Sequence, residues 1–92
     1  MGKSGGSERT YKLKEDVLYR VVDGEAIVLD VGRGERFSLN RTGTEILKSI
    51  DDKMPVESLL RQQAGKYGKK IEAIKEDAYG LIKQLLKQGI IE

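Results

Sequence analysis

Residues 17–40 read VLYRVVDGEAIVLDVGRGERFSLN and hold three short runs of strand-forming residues separated by two glycine turns. Val17 to Val22 is β-branched and aromatic, the composition of a strand. Asp23-Gly24 follows, a pair suited to a two-residue hairpin because both positions tolerate positive φ. Glu25 to Val31 is the returning strand, with Ile27, Leu29 and Val31 on one face. Gly32-Arg33-Gly34 makes the second turn. Period-two alternation over Glu35 to Leu39 buries Phe37 and Leu39, and the polar Glu35, Arg36 and Ser38 are read as the strand's outward residues. Three strands joined by short turns form an antiparallel meander.

At Asn40 the period changes. Asn40 is a helix N-cap, and Glu45, Ile46, Leu47 and Ile50 continue as a helix that Asp51-Asp52-Lys53 ends. Pro55 suits the first turn of a second helix, where its missing N–H costs nothing. Val56, Leu59, Leu60 and Ala64 form the inner face of that helix, and Gly65 to Lys70 is the break after it. A third helix runs from about Lys70 to Gln88, with Gly89 as its C-cap and Ile90-Ile91 packing back. The order βββααα describes an α+β domain, a three-stranded antiparallel sheet followed by three helices, winged-helix-like in its parts. It occupies residues 11–92. Residues 1–10, MGKSGGSERT, are polar and rich in Gly and Ser, and are expected to be a disordered lead-in.

Composition narrows the chemistry. The chain has 92 residues, no Cys and no His, 17 basic and 15 acidic residues, and a formal charge of +2. Thiolate, imidazole and Ser–His chemistry are therefore absent, as are the ligand sets of structural zinc sites, and disulfides cannot form. No cofactor motif is present. The carboxylate pairs Glu15-Asp16, Asp51-Asp52 and Glu76-Asp77 are sequence neighbours, which do not face each other across a substrate. No apolar run approaches the roughly 20 residues of a membrane span. These features describe a cytoplasmic, non-enzymatic domain without a membrane or nucleic-acid partner.

Two places could carry binding. The first and third strands are both sheet edges with unpaired backbone groups. The third leads into the helices, so it can lie beside one and form a trough. On the third helix, Ile71, Ile74, Ala78, Leu81, Ile82 and Leu85 share an arc of roughly 100°. Tyr79, Leu86 and the stem of Lys75 extend the apolar surface beyond that arc. The excess is either a wider core contact or the wall of a groove for an added peptide strand.

The run Gly24-Glu25-Ala26-Ile27-Val28-Leu29-Asp30, a glycine turn, and then Arg36-Phe37-Ser38-Leu39-Asn40-Arg41-Thr42-Gly43 resembles the PqqD family. So does the closing stretch Glu76-Asp77-Ala78, Leu81-Ile82, Leu85 and Gly89-Ile90-Ile91. The resemblance spans about Val17 to Ile91. Members of the family are recognition elements for ribosomally made, enzymatically modified peptides. The resemblance implies that a precursor leader peptide adds antiparallel to the third strand and lies against the third helix. By position it assigns the backbone of Glu35, Arg36, Phe37, Ser38 and Leu39, with Lys75, Ala78, Tyr79 and Ile82 as the facing wall. Asp77 matches a recurrent acidic position, for which the resemblance leaves two roles open: holding a leader residue, or capping or pairing within the fold. A free-standing chain of this kind is most similar to the leader-binding proteins of lasso-peptide clusters, which work with a separate leader peptidase and a macrolactam synthetase, a cyclase. A monomer or weak dimer is expected. The competing reading is a DNA-binding winged helix using Lys66, Lys69, Lys70 and Lys75 on phosphates. Glu72, Glu76 and Asp77 interrupt the basic face it would need.

Overall fold

Two hairpin turns place the strands β1 (Val17–Val22), β2 (Glu25–Asp30) and β3 (Glu35–Leu39) in one antiparallel sheet of order β1-β2-β3. The structure, a computed structural model, describes residues 10–92. The lead-in expected over residues 1–10 therefore lies, but for Thr10, outside the described residues. Asp23 and Gly24 both take positive φ, 54° and 80°, as a tight hairpin whose twist matches its strands requires. Three helices follow: α1 (Arg41–Asp51), α2 (Val56–Tyr67) and α3 (Ile71–Lys87). The architecture is the α+β arrangement that the alternating and helical periods describe.

The register decides which side of the sheet meets the helices. Ala26 pairs with Leu39 and Val28 with Phe37, so these residues share the covered face with Val17 and Tyr19. Ala26 and Val28 are wholly buried, whereas Leu29 and Val31 are exposed and Ile27 is half-buried. Ile27 and Leu29 thus belong to the solvent face. The more apolar face of β2 is therefore not the core face; Ala26 lies on the covered face, where its N–H meets Thr44 Oγ1 of α1 at 2.7 Å. β2 also stops one residue early, at Asp30, although the Val31 N–H still meets the Asp16 carbonyl on the β1 side at 2.8 Å.

Each helix begins and ends for a local reason. Asn40 Oδ1 accepts the Gly43 N–H at 2.8 Å, which caps α1. Pro55 stands just before α2, and its carbonyl accepts the Leu59 N–H at 3.1 Å. Gly65 does not break α2, contrary to the sequence reading. The helix runs on to Tyr67 and ends at Gly68 (φ 62°), since a single glycine weakens a helix without stopping it, whereas a left-handed residue does stop it. α3 ends at Lys87, with Gln88 as its cap and Gly89 beyond it at φ 76°. The core gathers Ile46, Leu47 and Ile50 of α1, Val56 and Leu59 of α2, and Ile74, Ala78, Ile82 and Leu85 of α3 over the sheet. Ile90 and Ile91 close it. Their backbone pairs antiparallel with the segment before β1, through Lys12 N–H to Glu92 O at 3.0 Å, Glu92 N–H to Lys12 O at 2.8 Å and Lys14 N–H to Ile90 O at 3.0 Å. No helix is long and apolar enough to cross a membrane among the described residues.

Candidate peptide-binding groove

β3 is an edge strand, and the alternation of an antiparallel ladder fixes which of its backbone groups are free. The Ala26 N–H points towards β3, where Thr44 Oγ1 takes it at 2.7 Å, and the Val31 N–H points towards β1. Ala26, Val28 and Asp30 therefore direct their polar groups at Leu39, Phe37 and Glu35. By the same alternation, the N–H and C=O of Arg36 and of Ser38 face outward. No backbone hydrogen bond outside the sheet occupies them among the described residues.

The edge faces α3 across an open groove. The two elements run antiparallel: Arg33, just before β3, donates from Nη1 to the Gln88 carbonyl at 2.8 Å. At the other end of the strand, Leu81 Cδ2 lies 3.5 Å from where a Cβ on Gly43 would stand. Five strand residues span about 16 Å and the α3 segment from Asp77 to Gln88 about the same length, so the walls match. Between them is a cavity of about 480 Å³. Phe37, Leu39, Ile46, Leu81, Leu85 and Ile90 give it an apolar floor. Asn40, Thr42, Asp77, Gln84 and Gln88 stand around the floor as polar groups. Such a mixture suits an apolar side chain held by a few directing polar contacts.

The site residues named from sequence divide three ways. Phe37, Ser38, Leu39 and Asp77 line this cavity, and Glu35 lines the hollow beside it. Arg36 offers its backbone at the edge while its side chain lies on the solvent face of the sheet, beside Leu29. The wall assigned to α3 is displaced. Ala78 and Ile82 are 1% and 2% exposed and belong to the core, and Lys75 and Tyr79 are exposed but do not line the groove. The core arc of α3 has two flanks, and periodicity does not say which one borders β3. Tyr79, Leu86 and Lys75 form the apolar flank, roughly 180° around the helix from Asp77. β3 lies along the other. The residues missed are Gly80, Leu81, Gln84 and Gln88, which with Asp77 form an i, i+3, i+4, i+7, i+11 row. Following the helical row onward from Asp77 would have found them.

Behind the groove, Glu45 ties α1 to α2. Its carboxylate accepts from Gln63 Nε2 at 3.2 Å, from Tyr67 Oη at 2.7 Å and from Lys66 Nζ. Burial works to raise the Glu45 pKa, but the bonds from Lys66, Tyr67 and Gln63 outweigh it and hold the carboxyl below the ordinary glutamate value. Of the lysines named for a DNA duplex, Lys66 is thus committed to a neighbouring helix, and nothing in the structure favours the duplex reading. The described residues hold no group of three or more Asp and Glu placed to bind a metal ion.

The fold has close counterparts among solved structures. One is TbiB1 in complex with the TbiA(beta) leader peptide, with a TM-score of 0.84 at 18% identity over 88% of this chain and 94% of that one. Another is lasso peptide synthetase B1 complexed with the leader peptide, with a TM-score of 0.83 at 19% identity over 91% of this chain and 99% of the other. At these identities the likeness is one of fold. No curated protein matches the chain. The family model for coenzyme PQQ synthesis protein D matches residues 25–91, from the start of β2 to the buried Ile91, and the chain belongs to that PqqD family.

Proposed function

We propose that the protein binds the leader segment of a ribosomally synthesised precursor peptide by adding it as a fourth strand to β3, against α3. The observation that carries this reading is the free backbone of Arg36 and Ser38 facing an apolar-floored groove. Two solved proteins of the same fold are described as complexes with leader peptides, which supports it. Four edge hydrogen bonds at about 0.5–1.5 kcal/mol net each supply a few kcal/mol. One or two pocketed apolar side chains add about 1.5–3 kcal/mol apiece. The ordering of a flexible peptide offsets part of this, leaving an affinity near the micromolar range. Backbone bonds are blind to sequence, so selectivity rests on the side chains of the groove. In this role the protein is not a catalyst. It holds the precursor for a separate leader peptidase and a macrolactam synthetase, in the cytoplasm where the precursor is made.

The test is amide exchange, residue by residue, before and after adding a peptide selected from a phage-displayed library of random dodecamers. The Arg36 and Ser38 amides should exchange readily in the free protein and become protected in the complex. Those of Phe37 and Leu39 should be slow in both. Protection of Arg36 and Ser38 without peptide, or indifference to it, would remove the strand-addition reading.

A further inference from the structure

Beside the apolar cavity, on the solvent side of α3, lies a second hollow that the strand-addition reading alone does not use. Arg33, Glu35 and Phe37 bound it on one side, and Gly80, Lys83 and Lys87 on the other. Three of these six are cations and one is an anion. Arg33 is already occupied, through the Gln88 carbonyl and through Nε, 3.9 Å from Glu35 Oε1. Lys83 and Lys87, one helical turn apart, make no ion pair among the described residues. The helix dipole accounts for a cation in the last turn, such as Lys87. It does not account for Gly80.

Gly80 sits inside α3, where glycine is a poor choice, and a Cβ there would meet nothing within 4 Å. Close packing within the chain therefore does not require it. Its missing side chain leaves a notch between Asp77 and Lys83, opening onto the hollow. We propose that this hollow is an acid-selective subsite, in which a guest strand presents an Asp or Glu side chain over Gly80 to Lys83 and Lys87. The inference rests on the reading that the groove takes a peptide strand. Strand side chains alternate, so the acid stands two or four residues from the apolar residue seated over Leu81. Backbone pairing selects nothing, and the lysine pair adds the sign of charge to what the groove reads.

The experiment selects the random dodecamer library separately on the wild-type chain and on a Lys83→Glu, Lys87→Glu double variant. Wild-type binders should carry an apolar residue with Asp or Glu at that spacing, and the double variant should replace the acid with Lys or Arg while keeping the apolar residue. Gly80→Ala should resist urea better than wild type yet bind a wild-type-selected peptide roughly tenfold more weakly. Gly65→Ala, at a glycine in the last turn of α2 with equally open surroundings, should gain stability with binding unchanged. Binders without an acidic preference, or with one that survives charge reversal, would overturn the subsite and leave the groove standing. Recovery of no peptide by the wild-type chain would overturn both.

Discussion

Thr44 Oγ1 accepts the Ala26 backbone N–H at 2.7 Å in the core and lies 3.4 Å from the Leu39 carbonyl, which it faces as a donor. One hydroxyl thus stands where the last rung of the β2–β3 ladder would form, and it joins the end of the sheet to the first turn of α1. The neighbouring Asn40 cap and this bridge set the angle at which β3 gives way to helix, and with it one end of the groove. Thr44→Val keeps the shape and removes the hydroxyl, leaving a buried N–H unpaired at a cost of about 1–3 kcal/mol. Thr44→Ser keeps the hydroxyl and should cost less. Urea denaturation of the two variants measures the difference, and a Thr44→Val variant no less stable than Thr44→Ser would show that the hydroxyl bridge does not hold this corner.

The C-termini of α1 and α3 contain an internal comparison. Gly89 N–H bonds to Leu86 O and Ile90 N–H to Leu85 O at the end of α3. Lys53 N–H bonds to Ile50 O and Met54 N–H to Ser49 O at the end of α1. The pattern is the same, with a left-handed residue just past the helix, but α3 uses glycine and α1 uses Lys53 at φ 61°. Lysine bears the Cβ strain of that conformation and glycine does not. Lys53→Gly should stabilise the fold by up to about 1 kcal/mol, offset in part by the greater freedom of glycine in the unfolded chain. Gly89→Ala should destabilise it by a similar amount. A shift of the urea midpoint checks both signs.

The Glu45 carboxyl, held below its ordinary pKa by Lys66, Tyr67 and Gln63 against the opposing effect of burial, makes stability depend on pH in one direction. A carboxyl with a lowered folded-state pKa contributes stability that is full above its unfolded value, near 4.5, and is lost as pH falls through the folded value. Melting temperatures recorded downward from pH 6 should therefore fall less steeply in Glu45→Gln than in wild type. The variant should also be the less stable of the two at neutral pH. Parallel curves would show that the carboxylate does not carry the α1–α2 tie.

The fold was legible because each of its signals is local. Asp23-Gly24 dictates a turn, Asn40 a cap, Gly89 a stop, and the change from period two to period 3.6 needs no knowledge of distant residues. What sequence could not supply depends on packing. Ile27, Leu29 and Val31 make the more apolar face of this stretch, yet Ala26 and Val28, on the opposite face, are the buried residues because that is the face the helices cover. The pairing of Lys12 to Lys14 with the C-terminal tail joins opposite ends of the chain and has no local signature. For the groove, β3 followed from strand order, since a meander leaves its third strand at an edge. The α3 wall did not follow, because the choice between the Asp77 flank and the Tyr79 flank is made by how α3 crosses the sheet. Apolar surplus pointed to the flank away from the cavity that is observed.

That choice of flank is open to direct test. Leu81 is half-buried on the cavity floor, with β3 across from it, whereas Tyr79 is 39% exposed and lines neither the cavity nor the hollow beside it. Leu81→Gln makes the floor polar, which removes much of the roughly 1.5–3 kcal/mol that a pocketed apolar residue contributes. Binding of a library-selected dodecamer, followed by fluorescence anisotropy, should weaken by about tenfold to a hundredfold. Tyr79→Ala should leave the same titration within about twofold of wild type, since the ring lies roughly 180° around α3 from Asp77. A urea curve for each variant separates lost binding from lost fold. Should Tyr79→Ala abolish binding while Leu81→Gln leaves it intact, the guest must lie along Lys75, Tyr79 and Leu86, and the groove between β3 and α3 would have to be given up as its seat.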